Sequence, residues 1–309
     1  MGTLNAEKYL PELLESLARQ SMKPCELVVC DDGSTDATLT LLDEFSRNSV
    51  YPVRIFRNPV TLRPTKNFEK AITLCSGEFI ALCDADDIWH PDKLSILVEW
   101  LRSKPEAGGI FSDADLIDEF SAPKGERLWQ RALFNPTPAT GLELDANRLL
   151  QGNVVTGATL MFRSTLRDKC LPIPCTWIHD GWIAWMLVLE SRLIACDRPL
   201  IGYRIHPLQQ TGIPSLAPSA QLRRARETGA PYYYSVADQF SDLLDYARAH
   251  PDICDENLLS NIEKKREHLL FRAQLRPERL ARWAEIATRR SEYAAYARGW
   301  LSMLKDALF

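Results

Sequence analysis

No apolar run in this 309-residue sequence approaches the roughly 18 residues that span a bilayer, and no signal peptide opens it. A cytoplasmic protein is therefore expected, not a spanning or secreted one. There is no basic excess: 37 Lys and Arg stand against 41 Asp and Glu, a net charge of −4, whereas a nucleic-acid binder is usually basic. No CxxC pair occurs among the eight cysteines (25, 30, 75, 83, 170, 175, 196, 254), which argues against a zinc site and for free thiols in a reducing compartment. P-loops, internal repeats and low-complexity stretches are also missing. What is present is ordinary globular composition, 46% apolar and 25% charged, enough for one large core with an extension or for two modest domains.

The most informative stretch is Gly77–Trp89. Phe79–Cys83 is a short apolar run, the mark of a strand buried on both faces, and it ends in Asp84, Asp86 and Asp87. Ligands of open α/β sheets bind beyond the carboxyl ends of the strands. Carboxylates clustered there repel one another unless a cation sits among them. An Asp-x-Asp pair suits Mg²⁺ or Mn²⁺, which takes one or two carboxylates plus substrate phosphates. The same residues also fit a simple start for a helix over about 91–103.

Upstream, residues 6–20 carry a helical stripe at Leu10, Leu13, Leu14 and Leu17, with Asn5 placed to cap it. Glu26–Cys30 reads as a strand ending in Asp31-Asp32-Gly33-Ser34-Thr35-Asp36, where Ser34 or Asp36 can cap a helix reaching about Arg47. Val53–Phe56 is a third strand and Thr65–Cys75 a third helix. This alternation is the βαβ signature of a largely parallel sheet.

Downstream, Gly109–Ser112 is a strand leading into Asp113-Ala-Asp115. Residues 119–142 look irregular, and 141–151 helical. Val155–Phe162 reads as a strand whose Gly157 suggests a close backbone approach. His179–Glu190 is apolar nearly all round, a buried helix, with Asp180 placed as an N-cap. Leu193–Cys196 and Leu200–Ile205 are paired strand candidates, the second running into His206. Residues 216–309 are helical in pattern, with breaks near Pro231, Pro251 and Pro277. Basic and apolar residues interleave over 264–290, which fits either an amphipathic pair packed on the rest of the chain or a surface resting on anionic lipid.

The runs Asn5-Ala-Glu-Lys-Tyr-Leu, Leu27-Val-Val-Cys-Asp-Asp-Gly-Ser-Thr-Asp and Cys83-Asp-Ala-Asp-Asp-Ile-Trp closely resemble the family 2 glycosyltransferases of the GT-A fold. Asn67-Phe-Glu-Lys-Ala, Asp113-Ala-Asp-Leu-Ile-Asp, Pro172-Ile-Pro, His179-Asp-Gly-Trp and Tyr203-Arg-Ile-His206 resemble its rhamnosyltransferase-like branch. The likeness covers about residues 3–212, in order. It implies a GT-A catalytic domain over 1–215, a mostly parallel sheet flanked by helices, followed by a helical extension over 216–309. Family members open with an apolar strand just before the segment matched by Thr3-Leu4-Asn5, so a missing or truncated first strand is expected here. Unpaired ladder groups on its neighbours would each cost about 1–3 kcal/mol if buried.

The resemblance implies transfer of a sugar, rhamnose by the branch likeness, from a nucleotide-diphospho-sugar donor to a glycan or lipid-linked saccharide acceptor, as in cell-surface polysaccharide or O-antigen synthesis. It implies a Mg²⁺ or Mn²⁺ cofactor and inversion by single displacement. Donor recognition falls to Thr3, Asn5, Glu7, Asp32 and Lys66, with Asp84 near the ribose. The metal falls to Asp86 and His206, and the acceptor and sugar side to Asp113, Asp115, His179 and Trp182. Asp180 occupies the catalytic-base position. A peripheral contact through 264–290 at the inner face of the membrane is the expected partner surface, and no nucleic acid is expected. Two alternatives stay open. An Asp-x-Asp at a strand end also serves phosphoryl transfer, though no Thr follows two residues after Asp86. A non-catalytic nucleotide-sugar-binding protein is the other.

Overall fold

The computed structural model describes residues 1–136, 143–207, 209, 223 and 227–309. The chain forms two compact units, one of Met1–Leu144 with Val154–Ile213, the other of Asp145–Asn153 with Pro214–Phe309.

The first unit starts with three parallel strands in the order β1 (Gly2–Thr3), β2 (Leu27–Asp31), β3 (Val53–Arg57). β2 is buried at every position, as its unbroken apolar run demands. β1 is short but present. Gly2 and Thr3 pair with Cys30 and Asp31, and the Met1 ammonium donates to the Val28 carbonyl at 2.8 Å. Between these strands lie α1 (Leu10–Ala18) and α2 (Thr38–Asn48), and α3 (Arg63–Leu74) follows β3.

Two capping expectations are corrected. α1 starts at Leu10, with Tyr9 at the N-cap and Pro11 in the first turn, so Asn5 is too far upstream to cap it. Asn5 instead adopts φ 49° and accepts a hydrogen bond from the Thr35 amide at 2.9 Å. α2 starts after Ala37, and Asp36, one residue before that cap, accepts from the Thr38 amide.

The second sheet is mixed. Its order is β4 (Phe79–Ala81), β8 (Leu160–Arg163), β6 (Ala107–Ile117), β9 (Arg192–Arg204), β5 (Ile88–Trp89), with β7 (Pro123–Arg127) on β6. β6 and β9 are parallel, while β4–β8, β6–β8, β6–β7 and β5–β9 are antiparallel. The two strand candidates over 193–205 are thus one continuous strand, flanked by β6 and β5. The irregular stretch over 119–142 holds β7 and α5 (Leu128–Ala132), while 137–142 lie outside the described residues. α4 (Lys93–Ser103) follows β5, so Asp84, Asp86 and Asp87 stand well ahead of its start and are not its caps. The expected strand over 155–162 opens as a 3₁₀ turn, Gly157–Thr159, before β8. α7 (Arg167–Cys170) precedes α8 (His179–Glu190), which has the expected bounds and a fully buried centre.

The second unit gathers α6 (Ala146–Gln151), capped by Asp145, with α9 (Ala230–Ala249), α10 (Glu256–Ala273), α11 (Arg279–Thr288), α12 (Arg290–Tyr296) and α13 (Trp300–Leu308). Residues 264–290 do not present one amphipathic face. Leu269 and Lys265 of α10 are buried, and Ile286 of α11 joins Tyr293, Ala297 and Ala307 in a local core.

Candidate active site

At the end of β2, both carboxylates are held from within. Asp31 accepts from the Thr3 hydroxyl at 3.2 Å and from the Gly33 and Ser34 amides. Asp32 accepts from Asn58 Nδ2 and from the Leu62 and Arg63 amides, all within 2.8 Å. Through these three hydrogen bonds Asp32 anchors the 58–63 segment. Asn58 continues this network to Asn67, whose side-chain amide reaches the Cys30 carbonyl. Asn5 and Glu7 hold the Thr35 and Ala37 amides of the same turn. Lys66 bridges α3 to the 172–173 segment, donating to Glu69 and to the Ile173 carbonyl at 2.7 Å each.

The β4–β5 turn carries the other acids. Asp86 Oδ2 lies 2.9 Å from His206 Nε2, whose ring packs against Tyr9 at 4.7 Å. Asp87 is buried and accepts from the Arg204 amide at 3.0 Å, its second oxygen having no partner among the described residues. Burial first, then Asp86 and Asp180, push Asp84 up to about 7, against the pull of Lys93. Burial, then Asp86 and Asp84, raise Asp87 well above the usual carboxylate range. The Tyr203 phenol is raised by burial and then by Asp87, Asp84, Asp86 and Asp180 together. That shared influence joins the β4–β5 turn, the end of β9 and the start of α8 in one site.

Asp180 is half-buried, and the N-cap of α8 is Ile178, so Asp180 is not the cap. Its Oδ2 accepts from the Gly157 amide at 3.3 Å. Burial raises it to about 6, offset in part by the Gly181 and Gly157 amides. His179 stacks on Phe68 at 4.0 Å, has no partner for either ring nitrogen among the described residues, and is held down to about 4 by burial, hence neutral at pH 7. A Cβ on Gly157 would stand 2.7 Å from His179 Nε2, which bears out the close approach expected there.

The remaining sugar-side residues separate. Asp113 is buried, accepting from the Ala114 and Trp129 amides at 2.8 and 3.0 Å, and burial raises it. Asp115 points to solvent across irregularities in the β6–β9 register, the usual device for re-aiming a strand side chain. Trp182 is packed inside, its indole N–H on the Cys170 carbonyl at 3.0 Å, which places it behind the site.

Sequence reasoning missed Arg204. This wholly buried guanidinium donates to the Asp86 carbonyl at 2.6 Å, to Glu12 at 2.6 Å and to the Ser121 hydroxyl at 2.9 Å, over the Tyr9 ring. It ties α1, the β4–β5 turn and the β6–β7 turn together. The signal was a lone arginine in the apolar run Leu200–Ile205.

Residues 1–168 match the family model described as glycosyl transferase family 2, more than half of the chain. The chain belongs to glycosyl transferase family 2. It is similar to an uncharacterized protein of Mycobacterium tuberculosis, 32% identical over 186 residues that cover 56% of this chain and 49% of that one. It thus spans about half the length of that relative. Among solved structures it is similar to S. aureus TarS 1–349 in complex with UDP-GlcNAc, with a TM-score of 0.59 and 19% identity over 96% of this chain and 80% of that one. It is also similar to the mannosyltransferase PcManGT of Pyrobaculum calidifontis in complex with GDP-Man and Mn²⁺, with a TM-score of 0.57 and 16% identity over 99% and 83%. At such identities the likeness is one of fold, and this family 2 chain has the expected GT-A fold.

Among the described residues no group of three or more His, Cys, Asp or Glu is arranged to hold a metal unaided. Asp86 and His206, beside the raised Asp84, fit a cation that completes its coordination with substrate phosphates rather than one in an all-protein cage. Among the described residues, too, no helix is long and apolar enough to cross a membrane.

Proposed function

We propose that this family 2 protein is a glycosyltransferase that moves a sugar from a nucleotide-diphospho-sugar to a hydroxyl of a glycan or lipid-linked saccharide, with inversion. The observation that carries the reading is the set of carboxylates beyond the strand ends of this fold, Asp86 against His206, Asp87 on the Arg204 amide and Asp180 on the Gly157 amide. The ligands of the two similar structures, UDP-GlcNAc and GDP-Man, support the donor class, and the Mn²⁺ of the second supports a divalent cation. Rhamnose as the sugar, and cell-surface polysaccharide or O-antigen as the product, rest on the segments that resemble the rhamnosyltransferase-like branch.

Asp180 accepts the proton of the acceptor hydroxyl. The freed oxygen attacks the anomeric carbon opposite the diphosphate, and the bond to the diphosphate oxygen breaks, the nucleoside diphosphate leaving with its electron pair. Asp86 and His206 would hold Mg²⁺ or Mn²⁺, which neutralises charge on the departing diphosphate. Thr3, Asn5, Glu7, Asp32 and Lys66 shape the donor side through the backbone they fix, with Asp84 near the ribose. His179, neutral and uncommitted, borders the sugar side with Asp113. Measuring nucleoside diphosphate release from a panel of nucleotide-sugars with Mn²⁺ tests the reading. Acceptor-dependent release from one donor is expected, and none from any donor, with or without acceptor, would overturn it.

The expected lipid contact over 264–290 is carried in this reading by α11, within that stretch, and by α13 beyond it. α10 turns its apolar side inward, whereas α11 exposes Leu280 and Trp283, and α13 exposes Trp300, Leu301, Leu304 and Leu308. Arg279, Arg290 and Arg298 are exposed beside them. The reading is a peripheral contact with anionic lipid through α11 and α13, at the membrane face where a lipid-linked acceptor would lie.

A further inference from the structure

Lys93 is wholly buried in the first turn of α4, and among the described residues no carboxylate lies within ion-pair distance of it. Its ammonium donates to the Ala158 carbonyl at 2.6 Å and sits 3.5 Å from the centroid of the Trp89 ring. α4 buries Leu94, Leu97 and Leu101 as well, an apolar face that packs the helix without help from a charge. A desolvated ammonium held by a single carbonyl is a poor stabiliser, and an apolar side chain of similar volume is often tolerated in its place.

What the ammonium holds is more telling. Ala158 is the middle residue of the Gly157–Thr159 turn, and the Gly157 amide of that turn donates to Asp180 Oδ2. The turn has no slack on the other side, since a Cβ at Gly157 would collide with His179 Nε2.

We propose that Lys93 is a positioning residue for Asp180: by gripping the Ala158 carbonyl it fixes the turn whose Gly157 amide holds the Asp180 carboxylate in place. This rests on the reading of Asp180 as the base. A hydrogen bond to the charged form of a carboxylate favours that form, so loosening the turn makes Asp180 harder to ionise. Asp180 is faced by Asp84 from the β4–β5 turn, by Tyr203 from β9 and by its neighbour His179; of these Asp84 also feels the Lys93 charge, so Lys93→Met acts on it too, whereas Gly157→Ala keeps that charge and reads the amide alone.

The test is the pH profile of kcat in Lys93→Met, with donor KM and thermal stability measured alongside. The expected result is a kcat lower by about tenfold or more, a donor KM within about twofold of the parent, and an acidic limb moved upward by about half a pH unit or more. A residue that only supports the fold would lower the active fraction and leave the limb where it was. That outcome overturns the proposal. If Lys93→Met does not fold, Lys93→Gln, neutral and one bond too short for the same grip, is read in the same way. Gly157→Ala, which displaces the same amide, should move the limb similarly, and the double variant should add little to either single one. Asp180→Asn separates the two layers. If it retains transfer, the base reading falls; if it is inactive while the Lys93→Met limb stays put, only the positioning role falls.

Discussion

Asp180 lies inside the first turn of α8, with Ile178 at the N-cap, so its removal should touch the proton and not the helix end. Asp180→Asn is expected to keep the melting temperature and the donor affinity and to lose transfer by at least about a hundredfold, the scale of general-base catalysis. Transfer near the parent rate would send the search for a base to Asp113 or Asp115. At the paired Asp86 and His206, Asp86→Asn should abolish Mn²⁺-dependent donor binding while leaving the fold intact, as read by calorimetric titration with and without Mn²⁺. Equal affinities in variant and parent would end the metal role. Arg204 belongs to a different class. Its guanidinium is buried, but Glu12 stands half in solvent and Ser121 is only partly covered, so Arg204→Met removes the donor to the Asp86 carbonyl while water can answer Glu12. A loss of about 1–3 kcal/mol in urea unfolding is expected, together with loss of donor binding as the β4–β5 turn is released.

At the scale of elements, amphipathic helices of one unit divide by which face they hide. α10 turns Ile262 and Leu269 inward, and α11 and α13 meet around Ile286 and Ala307, yet each keeps a second apolar stripe in solvent. The protein is expected to sediment with anionic liposomes at low salt and to release at high salt, since screening weakens the arginine contribution. Replacing Trp283 and Trp300 by Ser should abolish sedimentation without loss of stability, whereas Leu269→Ser should destabilise the unit. Sedimentation indifferent to lipid charge, salt and both tryptophans would leave these stripes without a lipid role.

At the scale of the whole molecule, the two units should answer acid differently. Burial, then Arg272 and Lys265, hold His268 down to about 3, so between there and its ordinary value of 6.5 the unfolded chain binds the extra proton and stability falls with falling pH. Asp306, which burial alone would raise, is held below its usual range by Arg272 and Lys305, and costs stability in the same direction only below its ordinary value of 3.8. In the first unit, Asp84 and Asp180 are raised to about 7 and about 6, so there the folded state binds more protons and acidification stabilises, offset in part by His179. From pH 7 to 5, hydrogen-exchange protection should therefore fall in α10 before β6 and β8, by at most about 1.4 kcal/mol per pH unit for one group. Protection falling in parallel across both units would contradict this.

Local pattern determined much of this protein by itself. The apolar runs of β2 and β4, the bounds of α8 and the acidic turns that end two strands follow from side-chain period and turn chemistry, which act over a few residues. So did the tight approach at Gly157, because a glycine inside an apolar run has few other reasons to be there. Pairing was not legible in this way. That β9 is one strand paired along β6, that β5 and β8 make the second sheet mixed, and that α6 belongs with the C-terminal helices depend on contacts between distant segments. Nor could spacing tell which polar side chains stay available. Asp32, Lys66 and Trp182 have the right identities for binding, and each also holds a distant part of the chain, Asn58, the Ile173 carbonyl and the Cys170 carbonyl, partners 26, 107 and 12 residues away. Arg204 and Lys93 gain their meaning only when burial strips water from them and leaves a few protein groups to answer the charge, and only the tertiary structure decides which groups those are.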